Sequence, residues 1–410
     1  MRLNFFKKIF IVLIIISFFS ISIAQNSFYS KYGLGTNYQN ASTRMEGLGY
    51  SGSAIYDSLH VTSQNPALWH SFNTVSLQGK LNYSRMTTSK INNNYQTAAL
   101  AGFTVKMPLG KYSGLAFGLQ PSYRVNSESE MSSSQLLSGD SLGYNNHAII
   151  EGGISEVFIG GGYRLTKYLS TGIVLKFLFG KYSSNLKTDL NTRPYYYARE
   201  RNIKGEQLGL GLFWNVPRNY SISFYHDRNL DFQYNNKVTY YNGTGDTTDY
   251  SSIDYLSNYR LGARKYLTSD LVFSADLALS ELPQSLMAFN SGLDGSYDNS
   301  YLIGFGLEKQ PSTEYNPGFF QRMFYRLGGY YKKDGFKPKN NNFTSDQYNE
   351  IGISAGLGIP FYNDFSRIDL SMIYSVADGY INPSIGKEKK ITINIEITSG
   401  GFWFYNALKE

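Results

Sequence analysis

Ile391-Thr392-Ile393-Asn394-Ile395-Glu396-Ile397-Thr398 decides the fold of this chain. An isoleucine stands at every second position and a polar residue fills every gap. Successive side chains of an extended strand point to opposite faces, so one face here is aliphatic throughout and the other polar throughout. On a helix the same residues would be scattered around the circumference.

The period of two recurs along the chain from Asn73 onward. Leu271, Phe273, Ala275, Leu277 and Leu279 alternate with Ser274, Asp276 and Ala278, and Ile351, Ile353, Ala355, Leu357 and Ile359 alternate with Gly352, Ser354, Gly356 and Gly358. Ile173, Leu175, Phe177 and Phe179 enclose Lys176, while Leu208, Leu210 and Leu212 enclose Gly209 and Gly211. A soluble β-sandwich would show the same alternation with its apolar face turned to a core. Two features point instead to a membrane. The alternating segments run for about 10 to 14 residues, whereas a globular strand averages about 5 or 6 and a tilted transmembrane strand needs about 9 to 11. The connections also alternate between short and long, as in outer-membrane barrels with periplasmic turns and extracellular loops.

This predicts an all-β fold, a closed antiparallel barrel of about fourteen strands. The strands fall roughly at 74–85, 95–107, 111–125, 149–164, 168–182, 195–214, 219–234, 253–265, 270–280, 299–309, 319–332, 347–359, 365–377 and 389–399. Tight turns are expected at Pro108-Leu109-Gly110, Thr166-Lys167, Pro217-Arg218, Thr268-Ser269 and Tyr362-Asn363-Asp364, with a longer one at 311–318. Long polar connections are expected at 126–147, 183–194, 235–252, 281–298, 333–346 and 378–388. An even count with both ends on the short-turn side closes the ring, and closure leaves lipid no unpaired sheet edge to satisfy. Trp69, Trp214 and Trp403 are expected at the periplasmic interface, where an indole is favoured.

Composition agrees. Aromatic residues reach 16% and charged residues only 17%, the balance that aromatic girdles and polar turns produce. The N-terminus sets the compartment: Arg2, Lys7 and Lys8 precede an apolar run at 9–21, and Ser22-Ile23-Ala24 supplies a small-residue cleavage site. That pattern reads as a signal peptide over 1–24 with Gln25 the first mature residue, and places the barrel in the bacterial outer membrane. The alternative is an uncleaved anchor helix, for which the run is short against the roughly 20 residues needed. Three of the positive charges behind the net +7 lie in this leader. No Lys/Arg block forms a nucleic-acid stripe, and Lys387, Lys389 and Lys390 read as a solvated loop. The absence of cysteine excludes disulfides, thiolate metal sites and cysteine nucleophiles.

Residues 25–72 do not alternate. They contain Gly33, Gly35, Gly47, Gly49 and Gly52 together with Arg44, Glu46, Asp57 and His60. The stretch is too short for an independent domain, and a barrel of this size has a wide lumen to fill. Either it folds inside as a plug, the economical expectation, or it hangs as a disordered periplasmic tail. The expected organisation is a leader at 1–24, a plug at 25–72, the barrel at 73–404 and a periplasmic tail at 405–410.

Within this segment Met45-Glu46-Gly47-Leu48-Gly49, Ser53-Ala54-Ile55-Tyr56-Asp57 and Gln64-Asn65-Pro66-Ala67-Leu68 resemble the plug of the FadL/TodX outer-membrane transporters. The resemblance makes Asn65, Pro66, Ala67 and Leu68 the plug motif, and Gly47, Gly49 and Asp57 part of the plug core. It implies passive uptake of small, fatty-acid-like hydrophobic molecules, bound in an apolar lumen pocket and released sideways through a kink in the third strand. The Asn-Pro-Ala run is shared with a type IX secretion shuttle of the same fold, so the resemblance also accommodates a barrel that binds or shuttles a protein partner. The third strand reads Leu115-Ala116-Phe117-Gly118-Leu119-Gln120-Pro121-Ser122-Tyr123, which makes Gly118 and Pro121 the lateral-gate candidates. Proline cannot donate to a ladder, so Pro121 marks either a bulge or hole in the wall, or the point where the strand leaves for its extracellular loop. The stretch 126–147 is rich in Ser, Glu and Asn, unlike the hydrophobic capture groove of the family, which weighs against a fatty acid more than against the fold.

Nothing reads as an enzyme or a cofactor site. His60, His70, His147 and His226 show no metal-binding spacing, and catalysis at His226, beside Asp227, would need a nearby serine. Residues 294–298 lack a calcium loop's spacing, and Gly160-Gly161-Gly162 lies on a strand rather than in a phosphate cradle. Lys176, Asp276, Glu308 and Glu396 fall on polar, lumen-facing positions; in a channel they would tune selectivity, and in a plugged barrel, the commoner case, they pair with plug residues such as Arg44 and Glu46. Expected partners are outer-membrane lipid, a hydrophobic small molecule, or a protein held by Tyr-rich loops such as 238–255, with no nucleic acid. An apolar pocket beside the plug would favour transport; a polar, occluded lumen under ordered, protruding loops would favour a protein partner.

Overall fold

The computed structural model describes residues 30, 33–58, 64–71, 74–89, 94–137, 140–190, 194–217, 219–240, 247–289, 295–312, 314–338, 347–361, 366–378 and 386–401. The leader at 1–24, Trp403, His60, the turn at 362–364 and the tail at 405–410 lie outside them.

Fourteen antiparallel strands form one sheet: β1 Val75–Thr88, β2 Asn94–Pro108, β3 Ser113–Leu137, β4 Asp140–Arg164, β5 Leu169–Leu190, β6 Pro194–Val216, β7 Tyr220–Tyr240, β8 Ser257–Tyr266, β9 Leu271–Glu281, β10 Ser300–Lys309, β11 Phe324–Lys333, β12 Asn349–Phe361, β13 Ser366–Asp378 and β14 Glu388–Gly401. Each pairs with the next in sequence, and β14 pairs with β1 from Gly401↔Val75 to Glu388↔Thr88, which closes the ring.

Exposure settles which way the alternation faces. Along β14, Ile393, Ile395 and Ile397 are 38%, 38% and 45% exposed, while Asn394, Glu396 and Thr398 are 0% exposed. The aliphatic face points outward and the polar face inward, the reverse of a soluble sandwich and the arrangement lipid demands. At the short-turn end Tyr112, Tyr163, Tyr168, Trp214 and Tyr220 project outward as an aromatic belt.

Three expected loops are corrected. The stretches 126–147, 183–194 and 235–252 are largely paired strand, because β3 to β7 run for 21 to 25 residues each. Above the bilayer lipid no longer faces the outer side, so the ladder continues after the apolar alternation that marks it in sequence has stopped. The strands β8 to β14 reach only 10 to 14 residues, so the wall stands tall on one side. The turn after β10 is also longer than its five counterparts, running through 310–323. Between β9 and β10 the chain forms a 3-10 turn, Gln284–Phe289, and a short strand, Gly295–Tyr297, which pairs with Phe336–Pro338.

Candidate functional site

Residues 33–58 and 64–71 touch the inner side of every strand. Lys80 of β1 meets Glu46 at 2.7 Å and Lys106 of β2 donates to the Ser58 carbonyl. Thr36 and Asn37 pair with Arg124 and Tyr123 of β3, and Asn40 donates to Glu156 of β4 at 3.1 Å. Tyr182 of β5 donates to the Leu34 carbonyl, Asn65 to the Leu212 carbonyl of β6, and Ser221 of β7 to the Ala54 carbonyl. Arg260 of β8 donates to the Tyr50 carbonyl, and Asp276 of β9 accepts from the Gly52 and Ser53 amides. Glu308 of β10 binds Arg44, Tyr330 of β11 packs edge-on against Tyr50, and Ser354 of β12 accepts from the Gly49 amide. Arg367 of β13 binds Asp57, and Glu396 of β14 accepts from the Thr43 amide at 2.7 Å. A segment in contact with all fourteen walls of a closed ring occupies its lumen.

Its centre is the short helix α1, Thr43–Gly47, capped by Ser42. Arg44 leaves this helix into a closed ring of alternating charge. Asp57 binds Arg44 at 2.5 Å, Arg44 binds Glu308, Glu308 binds Arg326 at 2.8 Å, Arg326 binds Asp369, Asp369 binds Arg367 at 2.7 Å, and Arg367 returns to Asp57 at 2.6 Å. Three guanidinium groups meet three carboxylates, and all three also face the Phe324 ring at 4.8 to 5.9 Å. Two members come from the N-terminal segment and four from the wall. Such a buried network fixes position more than it adds net stability.

Glycine makes room for the backbone. Gly49 has φ +65°, and a Cβ there would lie 2.4 Å from the Gly329 carbonyl oxygen. Asn65-Pro66-Ala67-Leu68 rests on a glycine floor: a Cβ at Gly162 or Gly172 would fall 2.4 Å from the Pro66 oxygen or 2.3 Å from its carbonyl carbon, and one at Gly211 would meet the Asn65 side chain at 2.3 Å. Gly47 sits against Gly356. Trp69 therefore corrects the interface expectation. It is fully buried and packs on Phe158 with Ala116, Val174 and Tyr225, because the 3-10 turn Pro66–Ser71 carries it into the lumen.

The expected lumen charges are placed as follows. Glu308 pairs with Arg44 and Glu396 receives an α1 amide, whereas Lys176 pairs within the wall with Asp227 at 2.7 Å and Asp276 with Arg260 at 3.3 Å. Lys80, Arg326, Arg367 and Asp369 were not singled out from sequence. The signal available was a charge on the inner face of an otherwise apolar strand, as in Arg367-Ile368-Asp369-Leu370.

Gly118 and Pro121 lie at a break in the wall. The ladder between β2 and β3 holds only six pairs, from Pro108↔Gly114 to Phe103↔Leu119, and among the described residues the two strands do not pair above that level. Register shifts flank the break: β2 slips against β1 between Lys80 and Leu81, and β3 slips against β4 between Pro121 and Tyr123. Thr36–Asn37 pairs with β3 just beyond Pro121, and the Tyr38 amide donates to the Ser122 carbonyl at 3.0 Å. The recess behind the break is lined by Tyr38, Asn40, Lys80, Gly102, Gln120 and Pro121, a polar surface.

Above this level the lumen is apolar on the side of β3 to β7, while Glu46, Asn82, Ser84, Lys390 and Thr392 line a recess on the side of β1 and β14. Leu34, Val125, Ile154, Leu178, Ile203 and Phe232 pack against Leu286, Tyr297 and Phe336 of the extracellular connections. No group of three metal-ligating side chains occurs among the described residues. His226 stacks on Tyr259 and meets the Asn258 carbonyl.

A ring of fourteen strands, apolar outside, polar inside and threaded by an N-terminal segment, is an outer-membrane β-barrel of the FadL type. Solved structures share that fold: a Pseudomonas aeruginosa FadL homologue (TM-score 0.62, 10% identity, 90% of this chain and 99% of that one) and the Pseudomonas putida toluene transporter TodX (TM-score 0.53, 12% identity, 88% and 98%). The CymD monoaromatic hydrocarbon channel aligns likewise (TM-score 0.55, 12% identity, 92% and 100%). No curated protein matches the chain. The BamG family model matches residues 5–408, and the chain belongs to the BamG family.

Proposed function

We propose that the chain is a sealed outer-membrane barrel that presents an extracellular binding surface to a protein partner, with the N-terminal segment acting as its plug. The observation that carries this is the tall β6–β7 ribbon with the chain that follows it. Tyr195, Tyr196, Tyr240, Tyr250 and Tyr255 are exposed there, Tyr250 by 80%. Tyrosine gives large contact area at low entropic cost and is enriched in protein interfaces. The lumen supports the same reading, since polar contacts tie the segment across its centre and the protein's own apolar side chains close the β3 to β7 side of its top. A photocrosslinking residue at Tyr250 in living cells tests it. One discrete adduct is expected there and none from a matched site at Tyr112, in the short-turn belt; absence of any adduct at Tyr250 would count against the proposal.

A second reading keeps a specific observation. The paired register shifts beside Pro121 suit lateral release of a small hydrophobic molecule, with Thr36–Asn37 as the seal. If that is the function, cells producing the barrel will take up a labelled fatty acid or toluene, and a disulfide across the break, engineered into the cysteine-free chain, will stop it.

A further inference from the structure

The turn between β10 and β11 is built differently from the other described connections at its end of the barrel. It carries Tyr315, Phe319 and Phe320, which are 103%, 64% and 72% exposed. The belt residues elsewhere, Tyr112, Tyr163, Tyr168, Trp214 and Tyr220, are 40% to 51% exposed and keep a polar tip on each ring. The two phenylalanines have none.

Internal hydrogen bonds hold the described part of the turn, 314–323, in place. The Ser312 amide donates to the Gln321 carbonyl at 2.8 Å, the Gly318 amide to Gln321 Oε1 at 2.7 Å, and Arg322 Nε to the Pro317 carbonyl at 3.2 Å. Tyr325 Oη donates to the Phe320 carbonyl at 3.0 Å. Tyr325 opens the lipid-facing row of β11, followed by Leu327 at 65% exposure. This hydrogen bond pins the turn beside the outer wall, so its two rings, edge to face at 5.4 Å, extend the lipid-facing surface.

We infer that Phe319–Arg322 is a lipid-docking element that inserts its two phenylalanines into the inner-leaflet phospholipid interface. Two observations select lipid over a protein partner. The aromatic pair is continuous with the bilayer-facing side chains of β10 and β11, Leu307, Tyr325 and Leu327. The exposed cations Lys309 and Arg322 flank it, as side chains that reach for headgroup phosphate do. Internally hydrogen-bonded backbone and bare aromatic rings are what an interfacial anchor needs, because lipid cannot satisfy loose backbone polar groups.

The natural chain has no cysteine, so Phe320→Cys accepts a single environment-sensitive fluorophore. An Asp189→Cys label high on β5 is the aqueous control, and a Phe319→Cys label repeats the measurement at the neighbouring ring. In proteoliposomes of phosphatidylethanolamine and phosphatidylglycerol, spin-labelled lipids bearing a shallow quencher should quench the label at 320 several-fold more than that at 189, and aqueous iodide should do the reverse. Equal iodide quenching at 319, 320 and 189, with no response to the lipid quencher, would overturn the inference and leave the rings to a soluble partner.

Discussion

Arg44 and Glu308, 264 residues apart in sequence, form a two-point pair inside the barrel: Nε donates to Oε2 at 2.8 Å and Nη2 to Oε1 at 2.5 Å. Both side chains are buried, and each has a second partner, Asp57 for Arg44 and Arg326 for Glu308. Through this pair the N-terminal segment is tied to the wall at one fixed place.

Removing the arginine should therefore release the segment. In Arg44→Ala, Asp57 and Glu308 lose a buried partner, a change that costs about 3–5 kcal/mol. Hydrogen exchange of residues 42–58 should accelerate accordingly while exchange in β12 to β14 stays slow. A cost below about 1 kcal/mol, the value of an exposed ion pair, would show that the ring does not latch the segment.

The docked state should also depend on pH through Glu46. Burial raises this plug carboxyl from 4.5 to about 7, and Lys80 at 2.7 Å offsets the rise only in part. A carboxyl raised on docking contributes most when protonated, so its contribution is full below about pH 4.5 and is lost as pH climbs through about 7. Protection of the helix amides, taken relative to their intrinsic exchange rate at each pH, should be higher near pH 5 than near pH 8, and Glu46→Gln should flatten the difference. Identical pH dependence in wild type and Glu46→Gln would assign it to another group.

Gly172→Val tests the glycine floor. Its Cβ would fall 2.3 Å from the Pro66 carbonyl carbon, whereas one at Gly79 would meet nothing within 4 Å. Overpacking of this kind costs about 1–3 kcal/mol. The expected result is faster proteolysis around Asn65–Leu68 in Gly172→Val and wild-type behaviour in Gly79→Val. Equal resistance in both variants would mean that the segment does not rest on these glycines.

The barrel was legible because lipid forces strict alternation on its strands, and Ile391 to Ile397 state it without exception. Strand ends were not, since Ser127 to Ser134 pair in a stretch whose sequence carries no apolar alternation. Trp69 misled for a related reason: its position next to β1 suggested the interface, and only the fold shows the 3-10 turn carrying it inward. Asn65 to Leu68 and Asp57 were marked by motif, but their partners Gly172, Arg367 and Asp369 lie on distant strands, and only closure of the ring brings them together.

The central claim is that this barrel is sealed and works by contact rather than by passage. Uptake of labelled long-chain fatty acid and of labelled toluene by cells producing the wild-type barrel or Arg44→Ala tests it most directly. The account predicts uptake at the rate of cells lacking the protein for wild type, with any leak confined to the released variant. Rapid, saturable uptake by the wild-type barrel would contradict it and make the break beside Pro121 the working exit.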